Sequence, residues 1–442
     1  MNTATSIGRT KNYFKQLKSS FIFKVLTILC GFLTIPLMIK YLGDEQYGIW
    51  STLLSMVSWI VLFDIGIGNG LRNKISESLA KENTKEAQSY ISTAYVLIGC
   101  ISLVLLLVFL VISEYIPWLR VFNTSIISEN DLRYVINITA SILFINFWLS
   151  LINQVFNGIQ KTSLTVFNQF LSNTFAIISI FILYKFFESS LVKLATVYGL
   201  SLLLSSILLS FWFFTKNTEF IPKIKNYAHI YTKSITSLGF QFFIIQIAYV
   251  IIFTTDKMLI TQLFGPEYVT GYDVVFKLFS VITIAHSLLL APLWAAYSDA
   301  YHREDFEWIQ KTIKIQLKIY VLFILGTILL MFLAQPIISI WIGKDFVVDK
   351  LIIISIGFFV LISVWCNIFS YYLNATNKLN VQIYSSVVAM VCNIPLSIYL
   401  VKQCGLGIEG VVFGTVLSLS LFAIFGSLQT YNLVFKKKSY EK

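Results

Sequence analysis

Residues 87–113 read AQSYISTAYVLIGCISLVLLLVFLVIS and contain no Asp, Glu, Lys or Arg. A helix of about 20 apolar residues crosses the ~30 Å hydrocarbon core of a bilayer, so this run predicts a transmembrane helix. Ten more charge-free runs of at least ~18 residues follow the same pattern: 46–63, 134–160, 162–184, 194–215, 234–255, 278–298, 319–343, 351–377, 379–401 and 410–435. Residues 20–41 form a twelfth candidate, whose charge-free stretch lies between Lys24 and Lys40. We therefore predict an all-α polytopic membrane protein with about 12 transmembrane helices.

The composition of the whole chain agrees with this fold class. The 442 residues are 57% hydrophobic and only 12% charged, whereas soluble globular proteins average roughly 25% charged residues. This balance excludes an ordinary cytosolic enzyme, a disordered tail and a secreted disulfide scaffold. Of the five cysteines, four lie inside predicted helices and Cys404 is alone in its loop, so we expect structural thiols and no disulfide framework.

The net charge of +11 reports membrane topology. About two thirds of the 33 Lys and Arg residues fall in the two termini and in alternate loops, on one side of the predicted membrane. By the positive-inside rule that side is cytoplasmic, so both termini are expected in the cytoplasm. A nucleic-acid-binding protein would gather its basic residues on one soluble face, and we expect no such partner.

Motifs for ATP hydrolysis and for zinc binding are missing from the sequence. Gly343-Lys344 lacks the upstream glycine of a phosphate-binding loop. The three histidines are far apart, and none is paired with Cys at the spacing of zinc ligands. We expect no catalytic triad, metal or organic cofactor, and a protein that works between its helices, as a transporter or an intramembrane enzyme.

An internal repeat becomes visible when the chain is compared with itself at a shift of 222 residues. The matching landmarks are Leu42-Gly43-Asp44-Glu45 with Phe264-Gly265-Pro266-Glu267, Lys81-Glu82-Asn83 with Arg303-Glu304-Asp305, and Gln88 with Gln310. Six helices per copy predict two parallel six-helix lobes that enclose a site near the membrane midplane, an arrangement that favours alternating access. The expected domains are an N-terminal lobe (1–215, helices 1 to 6), a cytoplasmic linker (216–233) and a C-terminal lobe (234–442, helices 7 to 12).

Six charged residues fall within or at the ends of predicted membrane helices. They are Lys24, Asp64, Asp256, Lys257, Asp273 and Lys277. A charge at the bilayer centre costs at least about 2.5 kcal/mol, so such residues usually face a partner or a wet cavity. The group therefore indicates a polar lumen. Two structural alternatives remain open: Asp273 and Lys277 are four apart on one helix and able to pair, and Lys257 is near enough to the outer interface to snorkel.

Polar side chains accompany these charges at helical spacing. On helix 1, Lys24 is followed on the same face by Thr27 and Thr34, a stripe that indicates either a tight helix interface or a lumen lining. On helix 7, Gln246 and Tyr249 precede Asp256 in a comparable stripe. Arg72 lies at the cytoplasmic end of helix 2, either as a positive-inside anchor or as a bidentate ligand for phosphate.

Three segments resemble the polysaccharide-export flippases, the O-antigen-type translocases of the multidrug, oligosaccharidyl-lipid and polysaccharide exporter superfamily. These segments are Tyr41-Leu42-Gly43-Asp44-Glu45-Gln46-Tyr47-Gly48, the glycine-rich stretch 64–74, and the region from Asp256-Lys257 to Ser298-Asp299-Ala300. The resemblance covers the whole chain. It implies a bacterial inner-membrane protein that moves an undecaprenyl-diphosphate-linked oligosaccharide to the outer leaflet for O-antigen or capsule synthesis.

The resemblance also implies roles for individual residues. Lys24, Arg72, Lys257 and Lys277 are the positions expected to meet the diphosphate, and Asp64 is expected to take a proton. H⁺ or Na⁺ is the expected coupling ion if one is needed. The expected partners are the bilayer, a polysaccharide polymerase and a chain-length regulator, and the protein is expected to be a monomer.

Two other functions remain open. A Na⁺- or H⁺-coupled drug exporter of the same superfamily would be expected to have a lumen dominated by carboxylates, whereas here three lysines balance three aspartates. An intramembrane glycosyltransferase or ligase usually carries a large outward loop with catalytic residues, and the longest outer loop, residues 114–133, is short for that purpose.

Overall fold

The computed structural model describes residues 3–57, 59, 67–236, 240–290, 293, 297, 300–301, 304–376 and 378–436. Over these residues the chain forms helices, turns and loops, and no strand. It divides into two compact units, Met1–Phe243 (unit 1) and Ile244–Lys442 (unit 2). The segment after α9 (residues 217–236, the connecting segment) therefore belongs to unit 1.

The helices of the two units have the following bounds. Unit 1 contains α1 (Thr3–Leu42), α2 (Asp44–Val57), α3 (Ile67–Ala80), α4 (Thr84–Ser113), α5 (Trp118–Phe122), α6 (Glu129–Leu149), α7 (Leu151–Gly158), α8 (Thr162–Phe186), α9 (Leu191–Lys216) and α10 (His229–Thr236). Helix α11 (Phe240–Leu263) leads into unit 2, which continues with α12 (Glu267–Leu290), α13 (Phe306–Trp341), α14 (Lys350–Ala375), α15 (Asn380–Lys402) and α16 (Ile408–Tyr431).

Ten membrane-crossing helices are identified by length and composition among the described residues. Two of the twelve predicted helices are outside this set. One corresponds to α2, which has 14 described residues, and the other to α11, which has 24 and is long enough to cross a bilayer. Helices α6 and α7 count as one span, interrupted at Ser150, whose hydroxyl donates to the Phe147 carbonyl oxygen at 2.9 Å. Such a bond back to the preceding turn bends helices.

At two of the predicted helix boundaries that differ from the structure, the helix extends over charged residues of the candidate site. The sequence places helix 8 at 278–298, but α12 begins at Glu267 and includes Asp273 and Lys277. The sequence ends helix 7 at residue 255, but α11 continues to Leu263. An ion pair between the two helices, described below, makes these charges compatible with helices that charge-free runs alone cannot detect.

The internal repeat is visible in the backbone of both units. Gly43 and Gly265, which are 222 residues apart, have φ angles of 78° and 125°. Glu82 and Glu304 have φ angles of 57° and 60°, a left-handed conformation that few non-glycine residues adopt. Each of these glutamates is followed by an Asx residue that caps the next long helix through its side chain, as Asn83 does for α4 and Asp305 for α13. The matching sequence landmarks thus have the same turn conformation in unit 1 and in unit 2.

A pair of glutamines extends this equivalence to tertiary contacts. Gln88 on α4 donates from Nε2 to the carbonyl oxygen of Ile221, at 2.9 Å. Gln310 on α13 donates from Nε2 to the carbonyl oxygen of Val434, at 2.7 Å. Both acceptors lie just after the last transmembrane helix of their unit. In each unit the equivalent glutamine thus binds the terminal segment to the third of the six helices predicted for that half of the chain.

Candidate functional site

Lys24 lies where α1 packs along α8 in unit 1. Its Nζ atom is 3.4 Å from Oε1 of Gln169, to which it donates a hydrogen bond. The ring of the preceding Phe23 contacts that of Phe167, with the ring centroids 4.9 Å apart. No ion pair joins Lys24 to a carboxylate in the part of the chain that the structure describes. Its positive charge is stabilised there by a neutral amide.

The polar stripe that follows Lys24 contributes to the same helix contact. The Thr27 side chain is buried, and its hydroxyl donates to the Phe23 carbonyl oxygen at 2.7 Å. Its own carbonyl oxygen accepts from Nδ2 of Asn173 on α8, at 3.4 Å. Thr34 also bonds its own helix, donating to the Cys30 carbonyl oxygen at 2.8 Å. The contact of Thr27 agrees with the first interpretation of this stripe, a tight helix interface. Lys24, by contrast, is only half-buried.

Gln169 is a candidate site residue that the sequence analysis missed. It is exposed although it lies two turns into the membrane-spanning helix α8. An amide exposed at this depth is unfavourable against hydrocarbon and favourable against water or a polar ligand. A glutamine inside the charge-free run 162–184 could have been identified from the sequence as a polar side chain in a membrane helix. Its contact with Lys24 was not predictable from spacing, because the two residues are 145 positions apart.

A second set of polar residues lies inside unit 1, between α6, α7, α8 and α9. Its members are Asn146, Asn153, Asn157, Thr165, Asn168 and Ser206. Nδ2 of Asn168 is 3.1 Å from Oδ1 of Asn153, and the Thr165 hydroxyl is 3.1 Å from Oδ1 of Asn157. Hydrogen bonds of this kind hold membrane helices together where apolar packing provides little driving force. We assign this network to the packing of unit 1.

The charged residues of unit 2 are arranged differently, because Lys257 and Asp273 form an ion pair. Nζ of Lys257 on α11 is 2.5 Å from Oδ1 of Asp273 on α12, and both side chains are mostly buried. The two helices form a hairpin around Gly265, and the two residues are equally far from it in sequence. The sequence analysis considered Lys277, one turn along α12, as the partner of Asp273. The hairpin brings Lys257 to Asp273 from the facing helix.

Asp256 lies in a buried polar cluster of unit 2. It is 3% exposed, and its carboxylate accepts hydrogen bonds from the hydroxyls of Thr415 (2.9 Å) and Tyr272 (3.3 Å). Asn393 donates to Thr415 Oγ1 at 2.9 Å and accepts from the hydroxyl of Thr255 at 3.3 Å. Helices α11, α12, α15 and α16 each supply a member, so the carboxylate is a tertiary contact of the unit.

Arg72 is exposed on α3, close to a small ionic cluster. Glu77 bridges Lys74 and Lys81, at N–O distances of 2.8 and 2.7 Å. These two ammonium groups lower the pKa of Glu77 from 4.5 to about 2. The ion pairs between described residues do not include Arg72. With two ammonium groups and one carboxylate the cluster keeps a net positive charge, and the exposed guanidinium of Arg72 adds another close by.

Three of the predicted site residues cannot be placed in this way. Asp64 lies outside the described residues. Gln246 and Tyr249 lie on α11, but their side chains are outside the described set. The predicted sites for which the structure gives contacts therefore divide into Lys24, Thr27 and Thr34 in unit 1, and Asp256, Lys257, Asp273 and Lys277 in unit 2. The Lys277 carbonyl oxygen accepts a hydrogen bond from the Ser280 hydroxyl at 2.6 Å.

Comparison with known proteins connects this architecture to a family. Residues 15–294, more than half of the chain, match the family described as "Polysaccharide biosynthesis protein". The chain belongs to this family. Residues 242–399 also match the family described as MatE. The resemblance to polysaccharide exporters that the sequence motifs indicated is thereby confirmed.

Relatives and solved structures agree with this membership. A Salmonella typhimurium protein named "Putative O-antigen transporter" is 25% identical over 93% of this chain and 95% of its own length. A Yersinia pseudotuberculosis "Putative O-antigen export protein" is 23% identical over 80% of this chain and 82% of its own. An inward-facing multidrug resistance MATE family transporter of the MOP superfamily superimposes with a TM-score of 0.78, at 15% identity, over 94% of this chain and 96% of its own. The fold is that of the MATE transporters, and this family member is a multi-pass membrane protein.

Proposed function

We propose that this protein moves an undecaprenyl-diphosphate-linked oligosaccharide from the cytoplasmic to the outer leaflet of the bacterial inner membrane, by alternating access. The product is used to build surface polysaccharide, O-antigen or capsule. The observation that carries the proposal is Lys24, a membrane-embedded cation whose described partner is the neutral, exposed amide of Gln169. The names of the relatives as O-antigen transport and export proteins support the same substrate class.

The chemistry of the substrate fits these residues. A diphosphate is a multiply charged acceptor of hydrogen bonds, and charge-assisted bonds from ammonium groups are about twice as strong as neutral ones. In this proposal Lys24 binds the diphosphate within the membrane, and Arg72 receives it at the cytoplasmic entrance. Gln169 donates a further bond from its amide nitrogen, while the polyprenyl tail stays among the acyl chains. Lys257 is assigned a smaller role because Asp273 already neutralises it.

The membrane potential favours this direction of transport. Moving an anion out of a negative-inside cell releases about 2.3 kcal/mol per charge at 100 mV, or about 4.6 kcal/mol for a dianion. Coupling to H⁺ or Na⁺ is then an addition to the driving force. The described group best suited to such coupling is Asp256, a buried carboxylate that accepts hydrogen bonds from the hydroxyls of Thr415 and Tyr272.

A cation-coupled drug exporter is the second candidate function. The match of residues 242–399 to the MatE family and the buried carboxylate of Asp256 favour it. The two candidates differ in what an inactive variant does to the cell. Loss of the flippase abolishes surface polysaccharide, whereas loss of an exporter raises sensitivity to cationic drugs.

The decisive experiment is complementation of a strain from which the gene has been deleted. With Lys24→Ala, we expect surface polysaccharide to fall at least about tenfold, because one charge-assisted contact to the diphosphate contributes about 1.5 to 3 kcal/mol. The lipid-linked intermediate should accumulate in the inner leaflet. Lys24→Arg should retain most of the activity, because the positive charge is kept.

The matched control is Lys185→Ala, at the end of α8. This lysine lies 5.9 Å from the Tyr184 ring and has no contact with Lys24 or Gln169. It should complement fully. Wild-type surface polysaccharide in the Lys24→Ala strain, at equal protein level, would show that the cation is not needed and that the proposal is wrong.

A further inference from the structure

The connecting segment is bound to unit 1 by side chains of α4. Gln88 donates to the Ile221 carbonyl oxygen and accepts from Nδ2 of Asn226, both at 2.9 Å. The Tyr90 ring packs edge-on against the Tyr231 ring, with the centroids 4.5 Å apart. One glutamine thus bonds two points of the segment, five residues apart, and holds it in a fixed turn.

Two backbone contacts add to this attachment. The amide of Lys223 donates to the hydroxyl of Ser92 at 3.0 Å. The backbone at Gly70 on α3 approaches the Ile235 carbonyl oxygen so closely that a β-carbon there would overlap it. The buried side of the segment is formed by Phe220 and by Ile235. The segment is therefore a packed part of unit 1 with a defined inner and outer face.

The outer face combines large apolar side chains with lysines. Ile224 is 84% exposed and Ile230 is 76% exposed. Lys223 and Lys225 flank Ile224 and are exposed as well. The only acidic residue of the segment is Glu219. Exposed isoleucines beside uncompensated lysines are unusual on a surface that contacts only water, and they are typical of segments that lie in a membrane interface.

The position of the segment along α4 places this face close to the headgroups. Helix α4 has 30 residues and is therefore ~45 Å long, whereas the hydrocarbon core is ~30 Å thick. The residues that bind the segment, Gln88 and Ser92, are within the first ten residues of α4, the polar end that extends beyond the hydrocarbon. Helix α9 ends next to the segment with Lys216 over the Trp212 ring, at 5.0 Å, a pair typical of the interface.

We infer that the outer face of the connecting segment is a binding surface for anionic phospholipids of the cytoplasmic leaflet. Ile224 and Ile230 insert at the boundary of the acyl chains, and Lys223 and Lys225 contact the phosphate groups. The positive charge of the face favours anionic lipid as its occupant, because a cluster of lysines with a single carboxylate is complementary to a negatively charged leaflet. This inference rests on one part of the proposed function, namely that the connecting segment lies on the cytoplasmic side of the membrane. It does not depend on any step of transport.

The test uses the full-length protein reconstituted into vesicles of phosphatidylcholine, with or without phosphatidylglycerol. An environment-sensitive fluorophore is attached to Ile230→Cys, in a background where the five native cysteines are replaced. Quenching by lipids that carry a nitroxide near the headgroup should increase about twofold or more when phosphatidylglycerol is present. The control label at Lys85→Cys, on the first turn of α4, should be quenched less and should not respond to lipid charge.

A second variant tests the lysines themselves. Lys223→Gln with Lys225→Gln should remove the response of the Ile230 label to phosphatidylglycerol, while Lys311→Gln, an exposed lysine of unit 2, should preserve it. Equal, weak quenching in both kinds of vesicle would overturn the inference and assign the face to water or to a cytosolic protein. Labelling with a membrane-impermeant thiol reagent from either side reports orientation separately. Reaction of Ile230→Cys from outside the cell would refute the orientation, whatever the quenching shows.

Discussion

The two units place charged residues in the membrane in different ways. In unit 1, Lys24 contacts the neutral amide of Gln169, and its charge has no described counter-ion. In unit 2, Lys257 is paired with Asp273 at 2.5 Å, and Asp256 is buried among hydroxyl and amide groups. Unit 2 thus pairs Lys257 with a carboxylate of its own, which stabilises the unit. In unit 1 the described contacts of Lys24 leave its charge without a carboxylate, which is what the proposed binding of an anion requires.

The largest expected effect tests whether the Lys257–Asp273 pair is structural. Asp273→Ala leaves Lys257 mostly buried without its carboxylate, which should lower the free energy of unfolding by about 3 kcal/mol. Lys24→Gln removes a charge that has no described carboxylate partner and should change that free energy by less than about 0.5 kcal/mol. The measurement is the loss of monodisperse protein on heating in detergent, followed by size-exclusion chromatography.

The charge-swapped double variant Lys257→Asp with Asp273→Lys is the control for this prediction, because it restores the pair with its polarity reversed. It should recover much of the stability that either single change removes. If Asp273→Ala is as stable as the wild-type protein while Lys24→Gln unfolds, the assignment of roles to the two units is reversed.

A smaller effect is expected for Asp256, because its partners are neutral. Asp256→Ala leaves the hydroxyls of Thr415 and Tyr272 without their acceptor, and should cost about 1 to 3 kcal/mol. Asp256→Asn keeps an acceptor oxygen and should cost less. The same heating assay measures both variants. If the Asp256→Ala and Asp256→Asn proteins are equally stable, the hydrogen bonds of the carboxylate do not hold the four helices together. A role in ion coupling then becomes the better explanation of its burial.

The equivalent glutamines sharpen the comparison, because here the two units should behave alike. Gln88→Leu removes two hydrogen bonds to the connecting segment, and Gln310→Leu removes one bond to the segment after α16. We expect losses of about 1 to 2 kcal/mol for Gln88→Leu and about 1 kcal/mol for Gln310→Leu. Lys85→Gln, an exposed change three residues before Gln88, serves as the control. Unfolding in detergent with increasing denaturant provides the values.

Much of this fold was predictable because the segments of a chain that cross a bilayer must be long and apolar and must form their backbone hydrogen bonds internally. Charge-free runs located most of the helices, and the landmarks at Glu82 and Glu304 identified a repeat that the backbone angles reproduce. The boundaries failed at α11 and α12, where an ion pair between helices makes charged residues compatible with the membrane. Lys257 and Asp273 are each eight residues from Gly265 in the sequence. This equal spacing predicts a contact only if the two helices are known to form a hairpin at Gly265.

The candidate site was less predictable than the fold. Lys24 was identified because charge in a membrane helix is rare, but its partner Gln169 is on another helix, 145 residues away. Thr27 was assigned to a stripe with two open interpretations, and its contact with Asn173 depends on how α1 rotates against α8. Periodicity places a side chain on a face of its helix. Which neighbour covers that face is decided by tertiary packing.

The smallest expected effect tests the ion pairs that Glu77 forms with Lys74 and Lys81, next to Arg72 on α3. Glu77 has a pKa of about 2 in the folded protein and 4.5 in its ordinary state, so its ion pairs stabilise the fold above pH 4.5. That contribution should be lost as the pH falls from about 4.5 to about 2. It should also shrink in salt, because Glu77 is exposed. Glu77→Gln should therefore flatten the change of melting temperature over this pH range, at low salt only. If wild-type and variant proteins melt in parallel from pH 6 to pH 2, Glu77 does not pair with Lys74 and Lys81, and Arg72 is then one of three unpaired cations at this end of α3.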